Sequence, residues 1–145
     1  MIQRIQSVWL LIAALLTAGL FVFDMYHAHT LVNGVDTLVE IRVNNDYLQL
    51  LLALIITLLP FAAIFMFKNR KRQQNLIMLT LVLTLGFLAY MVIKVTNLNN
   101  QVPQPTKGSY WIGAVLPVIS MVFLIMANNG IKKDEKLVKS LDRLR

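Results

Sequence analysis

A chain of 145 residues that is 57% hydrophobic and only 14% charged lies outside the range of ordinary soluble domains, which are about 45–50% apolar and about 25% charged. The absence of cysteine excludes disulfides, thiol nucleophiles, thiolate metal sites and the quinone-linked disulfide-forming four-helix proteins. The net charge of +7 is not a nucleic-acid footprint, because the bases stand at the ends of apolar runs, where membrane topology alone accounts for them.

In chain order, a short polar start with one base, Arg4, leads into an apolar run from Val8 to Phe23. No small-x-small cleavage site follows Phe23 and the next residues are bulky, so the run reads as a retained first span over 7–26, anchored by Trp9 and Tyr26 at opposite interfaces. Residues 27–47 form an outer loop. Asn33-Gly34, followed by polar–apolar alternation from Leu38 to Val43, predicts a small β-hairpin there. A second span covers 48–67, with Pro60 expected to kink it near Thr57.

Lys68, Arg70, Lys71 and Arg72 crowd the next loop, 68–75, with no acid among them. A third span over 76–95 carries Lys94 near its outer end, where a lysine can snorkel to the interface. Residues 96–109, with Pro103 and Pro105, read as a second outer loop. Tyr110 and Trp111 are a belt pair opening a fourth span over 110–127, which contains Pro117. Asn128-Asn129-Gly130 marks an end or a bend before the tail, residues 131–145.

The expected fold is therefore an all-α membrane protein of one domain, 1–145, with four transmembrane helices. Eleven of its fourteen bases fall on one side of that arrangement; only Arg42, Lys94 and Lys107 fall on the other. Bases near spans are retained in the cytoplasm, so both termini are expected inside.

Two short matches fit either a parallel repeat of two-helix units or coincidence between leucine-rich segments. Leu16–Gly19 resembles Leu83–Gly86, and Leu59-Pro60 resembles Leu116-Pro117. A real repeat would place Gly19 and Gly86 at equivalent close contacts, with Gly113 among the small residues that let helices approach. Thr17, Thr57, Thr80, Thr84 and Ser120 are expected to bond to their own helices or across to a neighbour.

The span cores hold no histidine and no carboxylate pair, which argues against a bis-histidine haem, a di-iron centre or a proton-coupled pathway. No phosphate-cradling glycine loop is present. Neither a cofactor nor a metal is called for. His27 and His29 sit two apart near Asp24, a spacing that suits two ligands only in a strand; otherwise they are interfacial polar residues.

In the tail, Leu137, Val138, Leu141 and Leu144 fall on one helical face among Lys132, Lys133, Lys136, Lys139, Arg143 and Arg145. Such a basic amphipathic helix lies on an anionic leaflet, docks on a partner, or serves only as a positive-inside anchor.

The opening Met1–Ser7, the loop Lys68-Asn69-Arg70-Lys71 and the ending Lys133–Arg145 resemble an uncharacterised family of four-helix inner-membrane proteins of Bacteroidota. The resemblance covers the whole chain. It implies a bacterial inner membrane and a small standalone membrane protein, and it carries no assigned activity, cofactor or catalytic residue.

The expected function is a non-catalytic accessory or assembly subunit of a membrane complex, in contact with membrane lipids and with no nucleic acid. The alternative is a binder or transporter of lipid or another hydrophobic small molecule, using a cleft beside Pro60 and Pro117. A third reading is a membrane enzyme acting on lipid or quinone through His27, His29 and Asp24.

Overall fold

The computed structural model describes residues 2–32, 35–100 and 107–142. Four α-helices carry the chain: α1 (Ile2–Ala18), α2 (Tyr47–Phe65), α3 (Arg70–Asn99) and α4 (Ile112–Asp142). Three strands sit at one end: β1 (Tyr26–Val32), β2 (Val35–Ile41) and β3 (Lys107–Tyr110). Helix α1 packs on α2 and α4, and α3 closes the ring by packing on the same two. The α2, α3 and α4 helices are each long and apolar enough to cross a membrane, whereas α1 with the 3-10 turn after it is a shorter apolar helix.

Local chemistry sets the helix starts. The Asp46 carboxylate accepts from the Leu48 N–H at 3.0 Å and caps α2. Asn69 Oδ1 accepts from the Arg72 N–H and caps α3, so Arg70, Lys71 and Arg72 lie inside that helix and not in a loop. All five small hydroxyls anticipated to bond locally do so: Thr17, Thr57, Thr80, Thr84 and Ser120 donate to carbonyls three or four residues back. That satisfies each polar group within its own helix, as a low-dielectric interior requires.

The core has two layers between the helices and a smaller cluster, Tyr26, Ala28 and Val95, under the sheet. Leu20, Met25, Ile56, Phe87 and Met91 pack near the sheet, and Leu10, Ala63, Ile77, Leu124 and Ile131 pack towards the other end. The faces away from this core are apolar as well. Helix α2 exposes Leu51, Leu54, Leu58, Phe61 and Phe65 along one stripe.

Several expectations are corrected. The first apolar segment is helical only to Ala18, passes through a 3-10 turn at Gly19–Phe21, and gives way to β1 at Tyr26. Tyr26 is therefore no interfacial anchor. It is buried, it donates to Asn99 Oδ1, and it meets Tyr110 edge-on at 5.3 Å.

The hairpin is present as β1 against β2, though its Asn33-Gly34 bend lies outside the described residues. The second outer segment supplies a third strand, giving the order β2-β1-β3. Pro103 and Pro105 lie outside the described residues. Pro60 and Pro117 are both buried within continuous helices.

Asn128-Asn129-Gly130 neither ends α4 nor separates it from the tail, and the helix runs on to Asp142. The reason lies in packing: a Cβ on Gly130 would come within 3.0 Å of Gln6 Cγ, so this glycine lets α1 approach α4. One residue on, Ile131 is buried in the core.

The proposed equivalence of Gly19 and Gly86 does not hold. Gly19 stands against Leu116, whereas nothing lies within 4 Å of a Cβ placed on Gly86.

Candidate functional site

Polar chemistry collects at the two ends of the helix ring. At the sheet end, strand alternation sorts β1 into two faces. Tyr26, Ala28 and Thr30 are buried, while His27 and His29 point to the outer face. Directly opposite on β2 stand Glu40, paired with His27, and Leu38, paired with His29. Ser109 of β3 flanks His27 on the other side. A cleft of about 570 Å³ opens over this face, lined by both histidines, Leu38, Gly108, Ser109 and Trp111.

His27 is held by stacking on Trp111, with ring centroids 4.9 Å apart, and its Nε2 lies 3.0 Å from Asp24 Oδ2. Arg42 completes the group: its Nε pairs with Asp24 Oδ1 at 2.5 Å and its Nη2 with Glu40 Oε2 at 2.7 Å. The hydrogen bond to His27, aided by Arg42, holds the Asp24 carboxyl below its ordinary value against the opposing effect of burial.

His29 pairs instead with Asp36, at 3.2 Å. The i, i+2 spacing thus does fall in a strand, but the two histidines serve different carboxylates. What converges is Asp24, His27 and Glu40, whose ligand atoms all lie within 4.8 Å of one another. Such a set holds a cation, and Arg42 supplies one.

A second cluster joins α2 to α3 nearby. Tyr90 donates to Asp46 Oδ2 at 2.6 Å, and Lys94 forms an ion pair with the same carboxylate while standing over the Tyr90 ring. The Lys94 bond, then the Tyr90 and Leu48 bonds, depress the Asp46 carboxyl to about 2. Lys94 is thus engaged by a carboxylate on the neighbouring helix rather than only reaching for an interface.

At the other end the helix order brings together residues that the sequence keeps far apart. Gln6 Nε2 donates to Asp134 Oδ2 at 2.6 Å, Arg70 Nη1 donates to the Asp134 carbonyl, and Gln74 donates to Glu135. Gln73 closes the α2–α3 turn by donating to the Ala63 carbonyl. Around this polar knot Lys68, Lys71, Arg72, Lys132, Lys133 and Lys136 are exposed, and Arg70 is half-buried.

The basic turn and the basic tail therefore share one end of the molecule. Lys139 lies within α4, while Arg143 and Arg145 lie outside the described residues. Leu137 and Val138 are exposed among the lysines. Sequence reasoning did not single out Gln6, Asp46, Tyr90 or Asp134. An acid in a lysine-rich tail looks solvated, and only the contact with α1 shows otherwise.

A family model matches residues 2–144, nearly the whole chain; its description is a domain of unknown function, DUF4293. The chain belongs to that family. No curated protein matches it, and no solved structure does. The DUF4293 match spans all four helices and the sheet, so both polar ends lie within the family's own extent.

Proposed function

We propose that this DUF4293 chain is a non-catalytic integral protein of a bacterial inner membrane that acts as an accessory or assembly subunit of a membrane complex, docking through its basic end. All four helices cross as a bundle, with both termini cytoplasmic and the three-stranded sheet outside. The outward stripe Leu51, Leu54, Leu58, Phe61 and Phe65 supports membrane residence, since among the described residues it stays exposed and its apolar surface suits lipid. The clustering of bases at the end away from the sheet supports the orientation.

The observation that carries the docking reading is the reach of α4. Its 31 residues span about 46 Å at about 1.5 Å per residue, against a hydrocarbon core of about 30 Å. Its last described turns carry exposed Lys132, Lys133, Lys136, Leu137 and Val138 beside the first turns of α1 and α3, an apolar patch rimmed with positive charge. That chemistry suits a partner surface combining acidic and apolar groups.

The test is native purification in mild detergent, with proteins and lipids both identified by mass spectrometry. It compares the wild-type chain with a Lys133→Glu, Lys136→Glu, Leu137→Ser variant. Truncation at residue 131 would be a poor test, because Ile131 and Asp134 pack into the helix ring. A stoichiometric protein partner present with wild type and lost with the variant is the expected result. No protein partner with either chain would overturn the reading.

A second reading, binding of an anionic lipid, is favoured by an apolar groove of about 290 Å³ lined by Met66, Leu76 and Leu79, with Arg72 and Asn75 also lining it. That groove lies at the α2–α3 turn, away from Pro60 and Pro117. Enrichment of one anionic lipid without a protein partner, reduced by Arg72→Glu, is the outcome that would favour it.

A further inference from the structure

The sheet end carries a site of a different kind. We infer that Asp24, His27 and Glu40 form a binding site for a first-row divalent transition cation, with Arg42 as a displaceable resident counter-charge. The inference stands apart from the docking reading, since it concerns the opposite end of the molecule.

Three groups of the right chemistry converge. One imidazole and two carboxylates are the ligand types that Zn²⁺ and its neighbours accept, and three protein ligands leave a fourth position for water. Their ligand atoms lie within 4.8 Å of one another. Tetrahedral coordination at about 2.0–2.2 Å sets ligand atoms about 3.3–3.6 Å apart, so they need to close by about 1.2–1.5 Å from that limit. The donors come from three places in the chain, the bend before β1, β1 itself and β2, so their meeting is a product of the fold.

Each ligand is positioned by something other than the cation. The Asp24 carbonyl accepts from the Gly113 N–H at 2.9 Å, and Gly113 packs so closely that a Cβ there would lie 2.6 Å from that oxygen. His27 is clamped by the Trp111 ring and by its place in the central strand. Glu40 is set by register opposite His27, and its carbonyl accepts from Asn45 Nδ2 at 3.0 Å. These contacts fix the backbone that carries both carboxylates and the plane of the imidazole.

Arg42 is the part that can leave. Its side chain is 52% exposed, against 15% for Asp24 and 29% for Glu40. The carboxylates are thus the sheltered partners and the guanidinium the solvated one. An exposed arginine pair is a weak competitor for carboxylates that can bond directly to a metal. Binding takes one oxygen from each carboxylate and a deprotonated His27 Nε2, whose proton, now shared with Asp24 Oδ2, moves to Nδ1 or to solvent; Arg42 is released to solvent.

The experiment is calorimetric titration of the full chain, chelator-treated in detergent micelles, with ZnCl₂. One site per chain is expected. Asp24→Asn, His27→Gln and Glu40→Gln should each weaken it at least tenfold, and Arg42→Gln should tighten it at least threefold by removing the competitor. His29→Gln should leave it within twofold. No site in the wild-type chain, binding indifferent to the three ligands, or weaker binding by Arg42→Gln would each overturn the inference. Because a ligand variant can disturb folding, Co²⁺ is added to the wild-type chain in parallel. Visible d–d bands of a low-coordinate site, displaced by Zn²⁺, support the assignment, and a spectrum no different from free Co²⁺ refutes it.

Discussion

Gln6 and Asp134, 128 positions apart, share a buried hydrogen bond of 2.6 Å that ties the first turns of α1 to the last turns of α4. Asp134 is 8% exposed, and its carbonyl also takes Arg70 from α3, so three helices meet at one residue. Removing the Gln6 amide leaves a buried carboxylate short of a donor. Gln6→Ala should therefore cost about 1–3 kcal/mol. Asp134→Asn, which keeps an oxygen acceptor, should cost less. Unfolding of the two variants in mixed micelles, followed by circular dichroism, gives the comparison; equal losses would mean that the bond contributes little.

Two glycines make a matched pair for a test of packing. A Cβ on Gly113 would lie 2.6–2.7 Å from the carbonyl oxygens of Asp24 and Phe23, both backbone atoms that cannot move aside cheaply. Gly86 is a helical glycine with open space around it. Gly113→Ala should thus destabilise by about 2 kcal/mol or more, while Gly86→Ala should stabilise by about 0.5–1 kcal/mol through helix propensity. Thermal melts in one detergent decide it, and a loss at Gly86 would point to a partner helix covering that face.

The sequence made the apolar blocks legible, and with them the four helices, because length and hydropathy are local properties. The hairpin was legible from Asn33-Gly34 and the alternation that follows. What stayed hidden depends on contacts distant in sequence. β3 is only Lys107–Tyr110, and it is a strand because β1 supplies its partner some eighty residues earlier. Gly108 fits there because the Tyr26 side chain fills the space that a Cβ would need. Gly130 looked like a helix end and is instead a close contact with Gln6. The outer cluster was half legible: Asp24, His27 and His29 stand out in sequence, but nothing local shows that Glu40 and Arg42 fold back onto the first two and not onto the third.

Asp46 makes stability depend on pH in a definite direction. Its carboxyl sits at about 2, depressed chiefly by Lys94 and then by Tyr90, against about 3.9 in an unfolded chain. A depressed folded value means that its contribution is fully present above pH 4 and is lost as the pH falls from about 4 towards 2. The melting temperature should fall across that window. Asp46→Asn, which keeps an oxygen to cap α2 but loses the charge opposite Lys94, should lower stability at pH 7 and flatten the decline. A decline of the same steepness in the variant would assign it to other carboxylates.

Topology is the prediction on which the proposed function depends most, and the cysteine-free sequence makes it simple to test. Any introduced cysteine is the only thiol in the chain. Ser140 is exposed in the α4 extension, and Thr37 is exposed on β2. With the sheet outside and both termini in the cytoplasm, a membrane-impermeant maleimide applied to intact spheroplasts should label Thr37→Cys and spare Ser140→Cys until the cells are lysed. Lys71→Cys, at the start of α3, should behave like Ser140→Cys, because the Arg70 and Gln74 hydrogen bonds place that turn beside the tail. The opposite pattern would invert the orientation, exposing the basic end to the outside and removing the cytoplasmic docking face. Labelling of all three before lysis would count against a membrane-spanning arrangement altogether, and the outward apolar stripe of α2 would then need a protein cover in place of lipid.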